Sequence, residues 1–217
     1  MPAFAGRPFT TEDARVLGDK QCQIETWVDR SRSATSASLV PSCNFGANIQ
    51  WQVGGSRVRE SGETVFSEAS VQAKTVLPSA DDAPWNAGLV LGVIRRVRES
   101  QGNGWDNPYA IVPITFSPPD SSTALHVNIG WRHDRSGNRN LTLWGLAAET
   151  GAGERWTLLG EAFGENSQRP FMRLGVRYAA IKDHLEFDLS AVTRPGGTRE
   201  ERFVSLGVTW QSGRILP

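Results

Sequence analysis

Three histidines, two cysteines and a scatter of carboxylates are the residues of this 217-residue chain that could do chemistry. His133 stands beside Asp134, with Ser136 three positions on, the side-chain types of a hydrolase triad. Triads are assembled by geometry across a fold, not by adjacency in sequence. These residues sit with Gly137 and Asn138 in a stretch that reads as a turn. His184 follows Asp183 in a second such stretch, and His126 lies in an alternating segment beside Asn128. No G-x-S-x-G, phosphate-loop or H-E-x-x-H pattern occurs. Two cysteines and scattered histidines make no metal set, and no cofactor is expected. With 23 basic and 23 acidic residues the formal charge is zero, which argues against general nucleic-acid binding. No catalytic residue is assigned. A barrel enzyme acting on lipid or ester substrates is the alternative, and His126 and His133 are the positions that would report it.

What the sequence offers instead is polar and charged side chains at every second position. Glu25, Gln50, Gln52, Glu68, Gln72, Lys74, His126, Asn128, Arg132, Arg173, Arg177, Glu186 and Asp188 fall on the polar face of alternating segments. Leu125, Val127, Ile129 and Trp131, for example, alternate with His126, Asn128, Gly130 and Arg132. A period of two means strands with one apolar and one polar face. Twelve strands are expected, over 21–30, 36–44, 47–55, 65–77, 85–96, 108–116, 123–132, 141–149, 156–165, 171–178, 185–192 and 202–210, with Gly, Pro, Asn and Asp between them. The phase of the fifth, sixth, eighth and ninth is ambiguous. The only helical hint is 10–17, where Thr11 could cap a short turn.

Alternation does not say which face meets water. A lipocalin or a β-sandwich puts the apolar face inside, whereas a membrane barrel turns it to lipid. Most expected strands have eight to twelve residues, and a strand tilted across a bilayer needs about 9–11. Gly130, Gly175 and Gly207 occupy the polar face, where they suit a narrow lumen crowded by long Arg and Glu neighbours. Only 3 of the 23 basic residues are Lys, which soluble sheets use to protect open edges. The longest apolar run, 87–94, is far short of the roughly 20 residues of a spanning helix. The reading is an all-β, single antiparallel transmembrane barrel of about twelve strands over 21–217, with both termini periplasmic. The odd-numbered connections, such as 56–64, 97–107, 133–140 and 193–201, are then the longer outer loops. Residues 1–20 are expected to be a signal-peptide remnant, with Ala3, Phe4 and Ala5 as a cleavage motif before Gly6, and a short periplasmic turn. Trp51, Trp131, Trp156 and Trp210 are expected near the two membrane interfaces.

A hairpin of the first two strands turning at 32–33 pairs residues whose numbers sum to 65. Cys22 then faces Cys43, and a disulfide there fits an oxidising compartment. The other reading is a pair of small buried free thiols.

Arg7, Pro8, Phe9, Thr10, Thr11, Glu12, Asp13 and Ala14, followed by Gln21, Cys22, Gln23, Ile24, Glu25, Thr26 and Trp27, resemble the start of proteobacterial outer-membrane barrels of the MetA-pathway phenol-degradation, transporter-like type. The resemblance implies an outer-membrane barrel and a passage for small organic or aromatic compounds. It carries no catalytic residues. Such barrels often end on an aromatic residue, whereas here 211–217 follow Trp210.

The expected function is a narrow, porin-like channel for small solutes, lined by the thirteen polar-face residues named above. The expected partners are outer-membrane lipid and an unidentified solute, with a monomeric chain. Twelve strands lie between the filled interior of an eight-stranded barrel and the aqueous channel of a 16–18-stranded one. A lumen closed by ion pairs is therefore a real alternative.

Overall fold

The computed structural model describes residues 7–60, 62–77, 83–96, 105, 107–166 and 168–214. Twelve strands run in chain order: β1 (Gln21–Arg30), β2 (Ala34–Asn44), β3 (Ile49–Glu60), β4 (Glu63–Val76), β5 (Trp85–Arg96), β6 (Asn107–Phe116), β7 (Thr123–Asp134), β8 (Arg139–Gly151), β9 (Trp156–Glu165), β10 (Phe171–Ile181), β11 (Leu185–Thr193) and β12 (Phe203–Arg214). Each pairs antiparallel with its chain neighbours, and β1 pairs with β12 to close the barrel. Closure satisfies the backbone groups that an open edge would leave bare in lipid. Among the described residues no helix is long and apolar enough to cross a membrane.

The alternation resolves with the apolar face outward. Val127 is 45% exposed, Leu174 73% and Leu206 57%, while Asn128, Arg173 and Ser205 beside them are buried. Such side chains arranged as a continuous belt belong against hydrocarbon, not water. Trp51, Trp156 and Trp210, with Trp85, crown the belt at the end where the chain enters β1 and leaves β12, here the near end. Trp131 lies toward the opposite, far end.

Three expectations are corrected. Residues 10–17 are not helical, and 7–17 are not a turn outside the barrel: they run inside it, as described below. The cleavage motif at Ala3 to Ala5 lies outside the described residues. Two of the far-end loops are shorter than expected, because β3 and β4 continue to Glu60 and Glu63, and β7 and β8 to Asp134 and Arg139. Charged residues such as Arg57 and Arg59 do not stop a ladder that has passed out of the bilayer into water. The difference in loop length between the ends therefore shrinks.

The first hairpin has the expected register, Ile24 opposite Pro41 and Thr26 opposite Leu39. Cys22 and Cys43 form a disulfide across it, with Cα atoms 4.0 Å apart.

Candidate functional site

Every polar residue singled out by periodicity lies on the lumen side of the wall. Many of them face the protein's own N-terminal segment, residues 7–17. An irregular segment has no internal ladder, so each buried N–H and C=O must find a partner elsewhere. Here the strands supply those partners from around the barrel.

Arg7 anchors the segment. Its N–H donates to Glu25 Oε1 at 2.9 Å, and its Nη2 donates to Asp188 Oδ1 at 2.6 Å and Ser205 Oγ at 2.9 Å. Its carbonyl accepts from Arg177 Nη2 at 2.7 Å, and its guanidinium lies 4.8 Å from the centre of the Trp27 ring. Gly207 makes room for this cluster: a Cβ there would stand 2.3 Å from Asp188 Oδ2 and 2.6 Å from Arg7 Nη2. Phe9 packs with Ala147 and Leu159, with its ring centre 5.8 Å from that of His126. Glu161 Oε1 accepts the N–H groups of both Thr10 and Thr11. Gly145 admits Thr11, whose Oγ1 would otherwise meet a Cβ at 2.3 Å.

The middle of the segment is clamped on both sides of one peptide unit. Asn128 Oδ1 accepts the Glu12 N–H at 2.7 Å, and Asn128 Nδ2 donates to the Glu12 carbonyl at 2.7 Å. The Glu12 and Asp13 carboxylates share one ammonium, with Lys74 Nζ at 3.0 Å and 2.6 Å. Gln72 adds a hydrogen bond to Glu12 at 3.2 Å and accepts one from Tyr109 at 2.6 Å. Burial pushes the Glu12 carboxyl above its usual range, with Lys74 pulling the other way. Burial also pushes Asp13 upward, but the Lys74 ammonium outweighs it and holds that carboxyl below its usual range. Farther on, Thr115 Oγ1 accepts the Ala14 N–H at 2.8 Å. Gln50 Oε1 accepts the Leu17 N–H at 2.9 Å, and Asn44 donates to the Leu17 carbonyl at 2.7 Å.

The segment divides the lumen. A far-end cavity of about 660 Å³ reaches Ser31 and Ser136. Its wall carries Glu68 with Arg96 at 3.7 Å, Arg132 with Glu165 at 2.7 Å, and Arg173, 3.3 Å from Glu161. A near-end cavity of about 290 Å³ reaches Gly18 and Gln211, and its wall carries Gln52, His126, Glu186 and Arg177. Arg177 lies 3.1 Å from Glu149 and 3.5 Å from Glu186. Arg7 borders both cavities.

The lumen wall is less polar than its charged residues suggest. Val90, Ile94, Tyr109 and Ile111 of β5 and β6 form one inward apolar cluster, with Leu143 of β8 against it. Phe163, Phe171 and Val192 form another at the far end, with Phe203 beside it. These belong largely to the strands whose phase was ambiguous. A strand apolar on both faces has no polar phase to read.

The histidines divide in the same way. His126 is 1% exposed; its Nδ1 lies 2.9 Å from Thr115 Oγ1 and its Nε2 3.5 Å from Glu149 Oε1. The Thr115 hydroxyl already receives the Ala14 N–H, so the group reads as a strap for the segment and not as an exposed nucleophile. Ser136 donates to Asp134 at 2.8 Å, while His133 turns to Asn140 at 3.2 Å, so His133, Asp134 and Ser136 do not form a relay. His184 meets the Gln211 carbonyl in a near-end turn. Among the described residues no cluster of three metal-ligating side chains occurs.

A closed twelve-stranded barrel with an outward apolar belt and a charged, segment-filled lumen defines a transmembrane β-barrel of the porin architecture. The chain belongs to the family described as "Uncharacterised conserved protein UCP029691", whose model matches residues 1–211. The resemblance read from residues 7–27 therefore holds for the barrel architecture and not for the MetA-pathway type. No curated protein matches the sequence. Among solved structures, the KdgM porin is similar at 10% identity and a TM-score of 0.63, over 87% of this chain and 98% of that one. The NanC porin is similar at 12% identity and a TM-score of 0.59, over 89% and 100%. The outer-membrane protein Omp33 of Acinetobacter baumannii is similar at 8% identity and a TM-score of 0.53, over 89% and 99%. At these identities the likeness establishes the shared fold.

Proposed function

We propose that this protein is a narrow outer-membrane channel for small polar solutes, constricted by its own N-terminal segment. One observation carries the reading: cavities of about 660 and 290 Å³ lie toward opposite ends of one closed barrel, with residues 7–11 between them. Twelve strands leave more interior than eight, whose side chains alone fill it. Here the surplus space holds a segment tied by side-chain contacts and not by a sheet ladder. The charged walls expose both signs, so they suit hydrated polar solutes better than the phenolic compounds implied by the MetA-pathway resemblance. One similar structure is of the KdgM porin in complex with disordered oligogalacturonate, which makes acidic sugars a reasonable first class to assay. In this reading the near end of the barrel faces the periplasm and the far-end cavity faces outward, and the chain acts as a monomer.

The test is swelling of liposomes containing the purified full chain. Swelling in small neutral and acidic sugars that falls steeply with solute size supports the channel. Liposomes that swell no faster than protein-free ones, while heat-modifiable migration reports a folded barrel, would make the ion-paired lumen a purely structural plug.

A further inference from the structure

The outer face of the barrel is not uniform around its perimeter. At the far end, the outward positions of β12, β1 and β3 carry Arg202, just before β12, and Arg30, Arg57 and Arg59, all exposed. Thr35 of β2 pairs with both Arg30 and Arg59, and Ala37 pairs with both Val28 and Arg57, so these arginines occupy adjoining rows of one patch. Thr35 accepts a hydrogen bond from Arg30, and Val204 pairs with Arg30 on the other side. Among the described residues no carboxylate pairs with any of the four arginines. Directly below them begins the apolar belt, at Val28, Leu39, Val53, Phe66 and Leu206.

The rest of the rim differs. From β7 to β11 the outward far-end strand positions include Trp131, His133, Asn140, Thr142, Met172 and Thr193, and the exposed arginines there, Arg135, Arg139, Arg169 and Arg199, stand at strand ends and turns. At the near end the equivalent height is held by Trp51, Trp85, Trp156 and Trp210. Four arginines in adjoining rows, above apolar residues and with no carboxylate partner among the described residues, suit an anion that arrives with acyl chains.

We propose that this sector binds a lipid carrying two phosphate monoesters, of the diphosphorylated glycolipid class, with its acyl chains along Val28, Leu39, Val53 and Leu206. Arginine presents a planar fork that matches phosphate oxygens, and its stem reaches from the edge of the belt to the headgroup layer. Arg30 and Arg59 are separated by one intervening strand, so their backbones stand about 10 Å apart. That spacing suits two phosphates on one headgroup better than a single one. The inference rests on the belt facing lipid and on the proposed orientation with the far end outward, and is independent of whether the lumen conducts.

The test uses the full chain in neutral detergent, with binding of diphosphoryl lipid A read by native mass spectrometry. Each arginine at a membrane surface contributes roughly a fivefold gain in affinity, so R30Q/R57Q/R59Q should weaken binding on the order of a hundredfold. The near-end variant R155Q/K182A, at exposed positions away from the patch, should bind as the unchanged protein does. Dephosphorylated lipid A should bind the unchanged protein far more weakly, a comparison that stands even if the triple variant fails to fold. The proposal is overturned if the triple variant retains full binding, or if lipid A with and without phosphate binds alike. It is also overturned if millimolar inorganic phosphate displaces the lipid, which would make the patch a simple anion site.

Discussion

Lys74→Met tests the lodged segment most sharply. Methionine keeps the length of the stem and removes the ammonium that serves both Glu12 and Asp13. Lys74 is buried, as is Glu12, so the change leaves carboxylates facing one another without their cation. Breaking a buried pair by removing one partner costs about 3–5 kcal/mol, because the remaining charge stays desolvated. Leaving the socket for water relieves that penalty for Glu12 and Asp13, whereas the barrel ladder gains nothing from it. The released-to-lodged ratio should therefore rise by roughly two to three and a half orders of magnitude, at about 1.4 kcal/mol per factor of ten. Hydrogen exchange of the amides of Thr10, Thr11, Glu12 and Ala14 reads this ratio, since protected amides exchange in proportion to their opening. The expected result is faster exchange by that factor, with strand amides unchanged. Unaltered exchange in the segment of a folded Lys74→Met barrel would refute the reasoning.

Gly207→Ala should act in the same direction, because its Cβ would collide with Asp188 and Arg7; a variant whose segment amides stay fully protected would contradict the close packing assigned there. Leu174→Arg places a guanidinium on the exposed apolar belt and should destabilise the barrel by about 2–4 kcal/mol if it lies near the midplane, read by urea titration in lipid vesicles. A loss near zero would mean that this face does not meet hydrocarbon. Acid should tighten the lodgement. Glu12, whose carboxyl is raised when lodged, takes up its proton in the socket before it does when released. Its contribution is full below the ordinary carboxylate range and is lost as pH rises through the raised one. Asp13, held low, opposes this only in stronger acid. Segment exchange corrected for intrinsic rate should therefore be slower at about pH 5 than at about pH 7, and Glu12→Gln should reduce that difference. Faster corrected exchange at the lower pH would reverse the assigned sign.

The strands were legible because lipid outside and polar groups inside impose a strict period of two. Leu125 to Arg132 and Met172 to Tyr178 carry that period without interruption, and their faces follow from it. The register of Cys22 on Cys43 followed from one turn position, since antiparallel partners keep a constant sum. The inward faces of β5, β6, β8 and β9 were not legible, because Val90, Tyr109, Leu143 and Phe163 are apolar where a polar phase was sought. The lodged segment was missed for a different reason. Arg7 to Leu17 has no period, and its partners Glu25, Gln50, Lys74, Asn128 and Asp188 lie far away in the chain. One signal did point to it: the lumen face holds glycine at Gly145 and Gly207, where the segment passes closest. In the sequence Gly207 reads as relief for long neighbouring side chains; in the structure Gly145 and Gly207 both accommodate a peptide.

The most direct test of the central claim is the unitary conductance of the purified full chain in planar lipid bilayers. A barrel that conducts past a lodged segment gives small, steady, discrete steps, larger in Lys74→Met than in the unchanged protein. Silence across many verified insertions of both proteins would contradict the channel and leave a sealed barrel.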